Sequence, residues 1–345
     1  MLDGAVDTPV DVGNAVADAR VDDAPAADVF DSGRGDASPA DGGNLATPRC
    51  ETVSFMHDGV NRAYILCTPN PVPAGALPVV LGFHGGGGNA ASWQRVLPWH
   101  ETGAREGFVV VFMQGCQPGA VDCTGATGSY GWNVGKPGET TMVDDQGFTL
   151  AVLGRLTTVH ALSIDRARVF ATGHSLGGIF TYTLRCDRPD VFAAIGPISA
   201  TPSDATCILA WNTSIYHVHG TGDMNVPFDT GCCSRAQQTM GDPEYLAGCA
   251  ALPRCFNPTN WWPPARTGMH PFADFIGIEE IARDGLGCAT TRTPIAGLPA
   301  CEQYGGCRAG THVEECHVRG ADHALAGINM LFDVRAYLWG RFRMH

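Results

Sequence analysis

The chain has 345 residues, of which 44% are hydrophobic, and its 35 acidic and 22 basic side chains give a formal net charge of −13 at pH 7. A net-negative chain without a basic patch is a poor candidate for nucleic-acid binding, and the sequence has no run of about 18 apolar residues that could span a membrane. The length allows one large α/β domain or two small ones, and the even spread of apolar segments after residue 49 favours one domain.

The first 48 residues differ in composition from the rest of the chain. They contain ten Asp and two Arg, which gives them a net charge of −8, and Phe30 is their one aromatic residue. Such a segment cannot bury enough apolar surface to fold, which predicts a disordered acidic linker over residues 1–48 and a folded domain over residues 49–345. Residues 1–20 show neither the basic n-region nor the apolar h-region of a signal peptide.

The folded part is predicted to open with a hairpin around Asp58-Gly59, after which strands alternate with helices. Several strands, such as residues 78–83, are near-continuous apolar runs, which indicates a mostly parallel sheet covered by helices on both faces. Residues 229–270 are cysteine-rich and have no clear period, so they predict an insertion at the rim of the sheet. Strands are predicted near residues 51–56, 62–67, 78–83, 108–113, 167–172, 193–198, 214–219 and 312–318, and helices near residues 91–105, 145–161, 176–186, 272–284 and 323–342.

Fourteen cysteines without a CxxC pair predict disulfide bonds formed in an oxidising compartment, and therefore a secreted or cell-surface-tethered protein. Cys50 and Cys67 lie at the far ends of the predicted hairpin, where a cross-strand disulfide would form. The alternative is a set of buried free thiols or a metal cluster that includes His312 and His317. The other predicted pairs are Cys116–Cys123, Cys186–Cys207 and Cys288–Cys307, with Cys232, Cys233, Cys249 and Cys255 bonded among themselves and the partners of Cys301 and Cys316 left open.

The pentapeptide Gly173-His174-Ser175-Leu176-Gly177 has the pattern of a nucleophile elbow, in which a serine lies on a sharp turn between a strand and a helix. Small residues are required two positions before and after the serine, because a Cβ atom there would collide with the neighbouring strand or helix. The alternative is a chance match in a chain with 44 glycines. The pattern predicts Ser175 as a nucleophile and the Leu176 N–H as a donor to an oxyanion.

A serine nucleophile needs a base and an orienting carboxylate, which follow it along the chain in the order acid, then histidine. Asp223 follows an apolar strand and a glycine turn, so it is the predicted acid, although a capping role is the alternative and Asp229 is the second choice. His323 follows the last predicted strand, where a loop can bring the imidazole over the elbow. His270 is the alternative base.

The glycine-rich segment at residues 84–89, His84-Gly85-Gly86-Gly87-Gly88-Asn89, follows a predicted strand. Its backbone N–H groups can approach a substrate without a side chain in the way, which predicts that the Gly86 N–H joins the Leu176 N–H in an oxyanion hole. A phosphate-binding loop is the alternative, but no Lys-Ser or Lys-Thr pair follows at the spacing that such a loop requires.

From about residue 50 to its end, the chain resembles the secreted polyhydroxyalkanoate depolymerase and feruloyl esterase group of α/β-hydrolases. The resemblance implies the α/β-hydrolase fold and an extracellular serine esterase whose triad is Ser175, Asp223 and His323. The chain departs from the group at residues 324–327, where the group commonly has an aromatic residue and a proline. The matching motifs are HGGGGN at residues 84–89, VDD at 143–145 with GF at 147–148, RVFATGHSLGG at 168–178, PDVFAA at 189–194, HGTGDMNVPF at 219–228 and GADH at 320–323.

The resemblance also carries expectations about residues outside the triad. It implies that the disulfide between Cys186 and Cys207 is structural and that Trp132-Asn133 lies near the cleft. We expect Trp132, Asn133 and His174 to contact the substrate, and for His174 the role of a packed neighbour of the serine is favoured over that of the base.

Two groups of side chains allow a second interpretation. Trp93, Trp132 and the pair Trp261-Trp262 could form an aromatic surface for substrate, or they could belong to the core. Asp144 and Asp145 could act as a carboxylate pair of a glycosidase, but they precede a predicted helix and are expected to cap it.

These patterns predict a monomeric enzyme that hydrolyses carboxylic esters through an acyl-enzyme and needs neither a metal nor a cofactor. The expected substrate is a polyester, as for a polyhydroxybutyrate depolymerase, and the alternative is a feruloyl or acetyl-xylan ester of plant cell-wall polysaccharide. A non-catalytic surface-binding protein on a hydrolase scaffold and an extracellular peptidase are the remaining alternatives.

Overall fold

The computed structural model describes residues 47–117, 119–125, 130–134, 143–202, 212–223, 225–226, 277–308 and 310–345. The predicted linker lies outside these ranges except for its last two residues, and the predicted insertion at residues 229–270 lies wholly outside them. The division of the chain into linker and folded domain therefore stays a prediction.

A mixed sheet dominates the described part of the chain, with strands in the order β1-β2-β4-β3-β5-β6-β7-β10-β9-β8. The six strands from β4 to β10 in that order are parallel, while β1 and β2 on one edge and β9 and β8 on the other are antiparallel. The predicted mostly parallel sheet is confirmed. The strands are β1 (Thr47–His57), β2 (Val60–Asn70), β3 (Leu77–Phe83), β4 (Val109–Met113), β5 (Ile164–His174), β6 (Ala194–Ile198), β7 (Ser214–Gly220), β8 (Arg292–Ile295), β9 (Leu298–Tyr304) and β10 (Val313–Val318).

The helices of the described ranges are short, and none of them is long and apolar enough to cross a membrane. They are α1 (Ala90–Val96), α2 (Trp99–Glu106), α3 (Asp145–Thr158), α4 (Leu176–Asp187), α5 (Ile278–Glu280), which continues into a π-helical turn at Ile281–Gly285, α6 (Leu325–Leu331) and α7 (Val334–Phe342).

Two predicted helices are each divided in two. The helix predicted over residues 91–105 breaks at Leu97, because the following Pro98 lacks an N–H and disfavours helical backbone at the residue before it. The helix predicted over residues 323–342 breaks before Asp333, whose carboxylate accepts a 2.9 Å hydrogen bond from the Ala336 N–H and so begins a new helix.

The hairpin formed by β8 and β9 was not predicted. Its strands contain Pro294 and Pro299, which argue against strand structure in a sequence, and Gly297 takes a positive φ of 77° in the turn between them. The hairpin lies at the edge of the sheet, where a missing N–H is tolerated. The described part of the helix predicted at residues 272–284 is reduced to α5 and its π-helical turn.

Helices cover both faces of the sheet, as predicted. In β3, Val79 and Leu81 pack into one buried cluster and Val80 packs into another, as the two-residue period of a strand requires. Side chains of α3 and α4 belong to the first cluster, and side chains of α1, α2 and α7 belong to the second.

Every cysteine that the structure describes is disulfide-bonded. The Cys301–Cys316 bond joins β9 to β10, so each of these two cysteines, whose partners the sequence left open, is the partner of the other. Cys186 is also bonded, but its predicted partner Cys207 lies outside the described ranges. The structure also contains the predicted pairs Cys50–Cys67, Cys116–Cys123 and Cys288–Cys307.

Candidate active site

Ser175 lies between the end of β5 and the start of α4 and has φ 53° and ψ −124°, a strained combination for a residue with a side chain. The glycines on either side are required by close backbone contact. A Cβ atom on Gly173 would lie 2.5 Å from the Gly177 carbonyl oxygen, and one on Gly177 would lie 2.3 Å from the Phe83 carbonyl oxygen. The elbow therefore depends on both glycines.

The predicted acid and base lie within hydrogen-bond distance of each other and of the serine. His323 Nε2 is 2.9 Å from Ser175 Oγ, and His323 Nδ1 is 2.7 Å from Asp223 Oδ2. The three residues follow β5, β7 and β10, which are parallel strands of the same sheet. Because such strands end at one edge of the sheet, the fold brings together residues up to 148 positions apart.

Asp223 is held by donors on both carboxylate oxygens. Oδ1 accepts 2.9 Å hydrogen bonds from the backbone N–H groups of Asn225 and Val226, while Oδ2 faces His323 and lies 3.1 Å from His219 Nε2. Burial alone would raise the pKa of Asp223, but the hydrogen bonds from His219 and His323 outweigh it and hold the pKa well below its usual value. Asp223 is therefore a carboxylate at neutral pH.

The acceptor role of Asp223 determines which nitrogen of His323 carries the proton. A carboxylate only accepts hydrogen bonds, so Nδ1 of His323 is the donor to Asp223, and in the neutral ring Nε2 accepts from the Ser175 hydroxyl. This arrangement can remove the serine proton as the oxygen attacks an electrophile.

The glycine-rich segment at residues 84–89 runs beside the elbow, since a Cβ atom on Gly86 would lie 3.7 Å from Leu176 Cβ. The Gly87 N–H is already used, because it donates a 2.8 Å hydrogen bond to the Tyr130 carbonyl. Within the described ranges, the N–H groups of Gly86 and Leu176 have no protein acceptor. These two donors are therefore available to a ligand oxygen, as the prediction requires.

His84 supports this segment from below. Its Nδ1 lies 2.8 Å from the Gly85 carbonyl oxygen, and its Nε2 accepts a 2.9 Å hydrogen bond from the Gly115 N–H, which makes Nδ1 the donor. Burial lowers the pKa of His84 to about 4, so the ring is neutral at pH 7. Trp132 Nε1 donates a 2.8 Å hydrogen bond to the His84 carbonyl.

The structure gives no support to the predicted substrate contacts at Trp132 and Asn133, which stay predictions. Trp132 is 1% exposed and stacks on Phe180 with ring centroids 5.3 Å apart, so it packs beneath the glycine-rich segment instead of facing a ligand. Asn133 donates its backbone N–H to Asp145 and lines a separate cavity of about 250 Å³, whose described lining contains no member of the candidate triad. For Trp132, the burial favours the core role that the sequence left open, since large aromatic residues near a cleft are often core residues.

His174 packs against the candidate base. Its Nε2 lies 2.7 Å from the His323 carbonyl oxygen, and the two rings have centroids 4.9 Å apart. Burial, followed by the nearby His323, lowers the pKa of His174 to about 4. The neutral ring therefore donates to the His323 carbonyl and orients the loop that carries the base.

A groove of about 330 Å³ lies next to the glycine-rich segment and the loop after His323. The two histidines of its described lining have pKa values near 4, so none of the described lining side chains is charged at pH 7. Trp93, one of the predicted aromatic candidates, is 3% exposed in its wall, whereas Trp261 and Trp262 lie outside the described ranges. The groove suits an uncharged substituent and is lined by His84, Gly85, Gly86, Gly88, Ser92, Trp93, Val96, His174, Ala324, Leu325 and Ala326.

Asp144 and Asp145 have structural partners away from the candidate triad. Asp144 caps α3 by accepting a 2.7 Å hydrogen bond from the Gly147 N–H, and Asp145 is buried in an ion pair with Arg62. Asp144 therefore has the predicted capping role, whereas Asp145 pairs with Arg62 instead of capping the helix, and neither contact supports a glycosidase carboxylate pair.

Sequence reasoning did not single out two fully buried histidines of β7, His217 and His219. His219 Nε2 approaches the candidate acid, and His217 Nε2 lies 2.8 Å from His219 Nδ1. The available signal was their spacing, because two histidines two positions apart in a buried strand must face the same side of the sheet.

No family model matches the chain. Feruloyl esterase B of Piromyces equi is 26% identical over 256 residues, which cover 72% of this chain and 40% of that protein. A probable feruloyl esterase C of Aspergillus niger is 26% identical over 255 residues, which cover 69% of this chain and 82% of that protein. This chain therefore spans less than half the length of the first of these relatives.

Among solved structures, the acetyl xylan esterase from Aspergillus awamori has a TM-score of 0.53 and is 13% identical, and the match covers 85% of this chain and 99% of that chain. At this identity the likeness concerns the fold alone. The chain has the α/β-hydrolase fold, and the two sequence relatives from Piromyces equi and Aspergillus niger are a feruloyl esterase and a probable feruloyl esterase, which are carboxylic ester hydrolases.

Proposed function

We propose that this chain is a serine carboxylesterase in which Ser175 is the nucleophile, His323 the general base and Asp223 the orienting acid. The observation that carries the proposal is the continuous hydrogen-bonded series from Ser175 Oγ through His323 to Asp223 at a nucleophile elbow. The same series with the same order along the chain performs acyl transfer in α/β-hydrolases.

The reaction proceeds in two halves. Ser175 Oγ attacks the ester carbonyl carbon while its proton passes to His323 Nε2. The tetrahedral oxyanion accepts hydrogen bonds from the N–H groups of Gly86 and Leu176. His323 then protonates the departing alcohol, which leaves an acyl group on the serine. Water, deprotonated by His323, attacks this acyl-enzyme and releases the carboxylic acid, and Asp223 stays ionised throughout.

For the substrate, we propose a feruloyl or acetyl ester of a cell-wall polysaccharide. The names of the relatives support this alternative better than the polyester that the sequence motifs suggested first. The groove beside the oxyanion donors supports it as well, because an uncharged wall suits a feruloyl or acetyl group.

We propose a secreted or cell-surface protein. Its disulfides within the described ranges, which join neighbouring strands at Cys50–Cys67 and Cys301–Cys316, support this location because such bonds persist in oxidising compartments.

The test is hydrolysis of a panel of substrates: methyl ferulate, feruloylated arabinoxylan, acetylated xylan, polyhydroxybutyrate, a short nitrophenyl ester and a peptide amide. Ser175→Ala should lower ester turnover by about 10⁶-fold, whereas Ser54→Ala, at an exposed position of β1, should keep wild-type turnover. Release of ferulate or acetate ahead of hydroxybutyrate supports the proposed substrate.

Other results would point elsewhere. Activity that survives in Ser175→Ala refutes the assigned nucleophile, and preferential amide cleavage indicates a peptidase. A wild-type chain that neither hydrolyses any ester nor reacts with a fluorophosphonate would be a non-catalytic binding protein.

A further inference from the structure

We propose that His219 is a positioning residue, a second imidazole that holds the carboxylate of Asp223 toward His323 and is itself held by His217 and Tyr182. The proposal rests on the proposed esterase function of the triad. It concerns three buried polar residues that the two halves of the reaction do not use.

The contacts of Asp223 show why a second imidazole matters. Both backbone donors bind Oδ1, so without His219 the only donor on Oδ2 within the described ranges is His323 itself. His219 Nε2 lies 3.1 Å from Oδ2 and 2.7 Å from the Val226 carbonyl oxygen. Asp223 Oδ2 and the Val226 carbonyl oxygen are both acceptors, so Nε2 of His219 carries a proton and its N–H points between these two oxygens.

The hydrogen bonds behind His219 can all run in one direction. Burial, followed by the negative charge of Glu315, raises the pKa of Tyr182 well above its usual value, so its hydroxyl keeps the proton. Tyr182 OH lies 2.9 Å from His217 Nδ1, and His217 Nε2 lies 2.8 Å from His219 Nδ1. Tyr182 then donates to His217, His217 to His219, and His219 to the acid, with one proton on each imidazole.

The series also connects two parts of the site that come from different elements. Tyr182 belongs to α4, which begins directly after Ser175, whereas the two histidines belong to β7, which leads into the loop of Asp223. From Tyr182 to Asp223 and on through His323, hydrogen bonds link the helix of the nucleophile to the acid and back to the nucleophile. A shift of the loop that carries Asp223 relative to α4 would break this series of hydrogen bonds.

The physical role follows from the burial of all three side chains. Tyr182 is 2% exposed and both histidines are 0% exposed. Because water does not reach these side chains, the loss of one donor leaves its acceptor with one hydrogen bond fewer, which is costly in free energy. Without the His219 N–H, Oδ2 of Asp223 keeps His323 as its one described donor, so the carboxylate orients the His323 ring less firmly toward the serine. Substrate binding should change little, because neither histidine lines the groove.

The decisive experiment compares His219→Leu, which removes both ring nitrogens, with His219→Gln, whose amide N–H has a similar reach. His312→Leu, at an exposed histidine before β10, is the control for the substitution itself. Each variant is assayed for kcat and KM on a nitrophenyl ester, for the rate of Ser175 labelling by a fluorophosphonate and for melting temperature.

We expect His219→Leu to lower kcat by about 10- to 100-fold, the effect of losing a hydrogen bond to a charged group, with KM unchanged within about 2-fold. His219→Gln should recover most of kcat, although it leaves the His217 N–H without its ring acceptor. Tyr182→Phe should lower kcat by less than His219→Leu, also at unchanged KM.

A folded His219→Leu variant with wild-type kcat overturns the proposal, and so does a His219→Gln variant that is no better than the leucine variant. If His219→Leu does not fold, Tyr182→Phe tests the proposal instead, because a wild-type kcat in that variant would also overturn it. If the wild-type chain hydrolyses no ester, the proposed substrate reaction fails, but the labelling rate of Ser175 in the same variants still tests the role of His219.

Discussion

Gly177→Ala tests whether the elbow requires a glycine after the serine. The added Cβ atom would lie 2.3 Å from the Phe83 carbonyl oxygen and 2.4 Å from the His84 carbonyl oxygen, whereas ordinary contact begins at 3.4 Å. Both oxygens belong to the backbone, so no side chain can rotate out of the way. The glycine-rich segment at residues 84–89 and the start of α4 must separate by roughly 1 Å.

This displacement has two measurable consequences. Overpacking of a close contact lowers the free energy of unfolding by about 1–3 kcal/mol, which a denaturant titration resolves. The displaced segment carries the Gly86 N–H, and a misplacement of about 1 Å near the reacting atoms can lower the rate by roughly 10²-fold. We therefore expect Gly177→Ala to be less stable and to have a kcat about 10²-fold below that of the wild type on a nitrophenyl ester.

Gly154→Ala is the matched control. Gly154 lies in the middle of α3, and a Cβ atom there would have no neighbour within 4 Å. Alanine is the better helix former by about 1 kcal/mol, so this variant should be as stable as the wild type or more stable, with unchanged kcat. A Gly177→Ala variant with wild-type stability and wild-type kcat would refute the steric argument for the elbow.

Three further predictions concern charge and cross-links. Asp223→Asn should lower kcat by about 10⁴-fold in steady-state ester hydrolysis, because the amide favours the wrong tautomer of the base, and a loss below about 10-fold would contradict the assigned acid. The free energy of unfolding should fall as pH drops from 6.5 to about 4, because His84 and His174 bind protons over this range in the unfolded chain, whereas their lowered pKa values keep them neutral in the folded chain. Urea titrations measure this slope, which His84→Gln should reduce; an equal slope in that variant would contradict the buried, neutral ring. Replacing Cys301 and Cys316 together by serine opens a loop with a sequence separation of 15 and should lower the free energy of unfolding by about 3 kcal/mol, and an unchanged denaturation midpoint would count against the bond.

The sequence was sufficient for features that depend on local chemistry. The elbow was predicted because two glycines at fixed positions from a serine have a steric cause, and Gly177 does approach backbone atoms of the neighbouring segment. The central strands were predicted because a strand buried on both faces must be apolar throughout, as residues 78–83 are. The same local reasoning should have divided the helix at Pro98, whose effect on the preceding residue is equally local.

Features that depend on competition between distant residues were not predictable in this way. The hairpin of β8 and β9 contains two prolines, and only its place at the edge of the sheet, next to β10, makes them acceptable. Trp132 carries the same signal whether it faces a ligand or the core, and its burial is decided by Phe180 and by the carbonyl of His84. Sequence spacing contains no information about either partner.

The two buried histidines of β7 show where this limit matters most for function. From the sequence, His217 and His219 are two polar residues in an apolar strand, which could signal a metal site, a strained core or a local error of strand assignment. Their meaning depends on which nitrogen carries the proton, and that depends on partners in two other places, the hydroxyl of Tyr182 on α4 and the carboxylate of Asp223 after β7. Because an imidazole that donates at one nitrogen must accept at the other when neutral, the fold turns two residues of ambiguous role into an ordered series that ends at the acid. The proposed active site therefore includes more than Ser175, Asp223 and His323, and the two histidines that we propose hold Asp223 in place are the part that the sequence did not reveal.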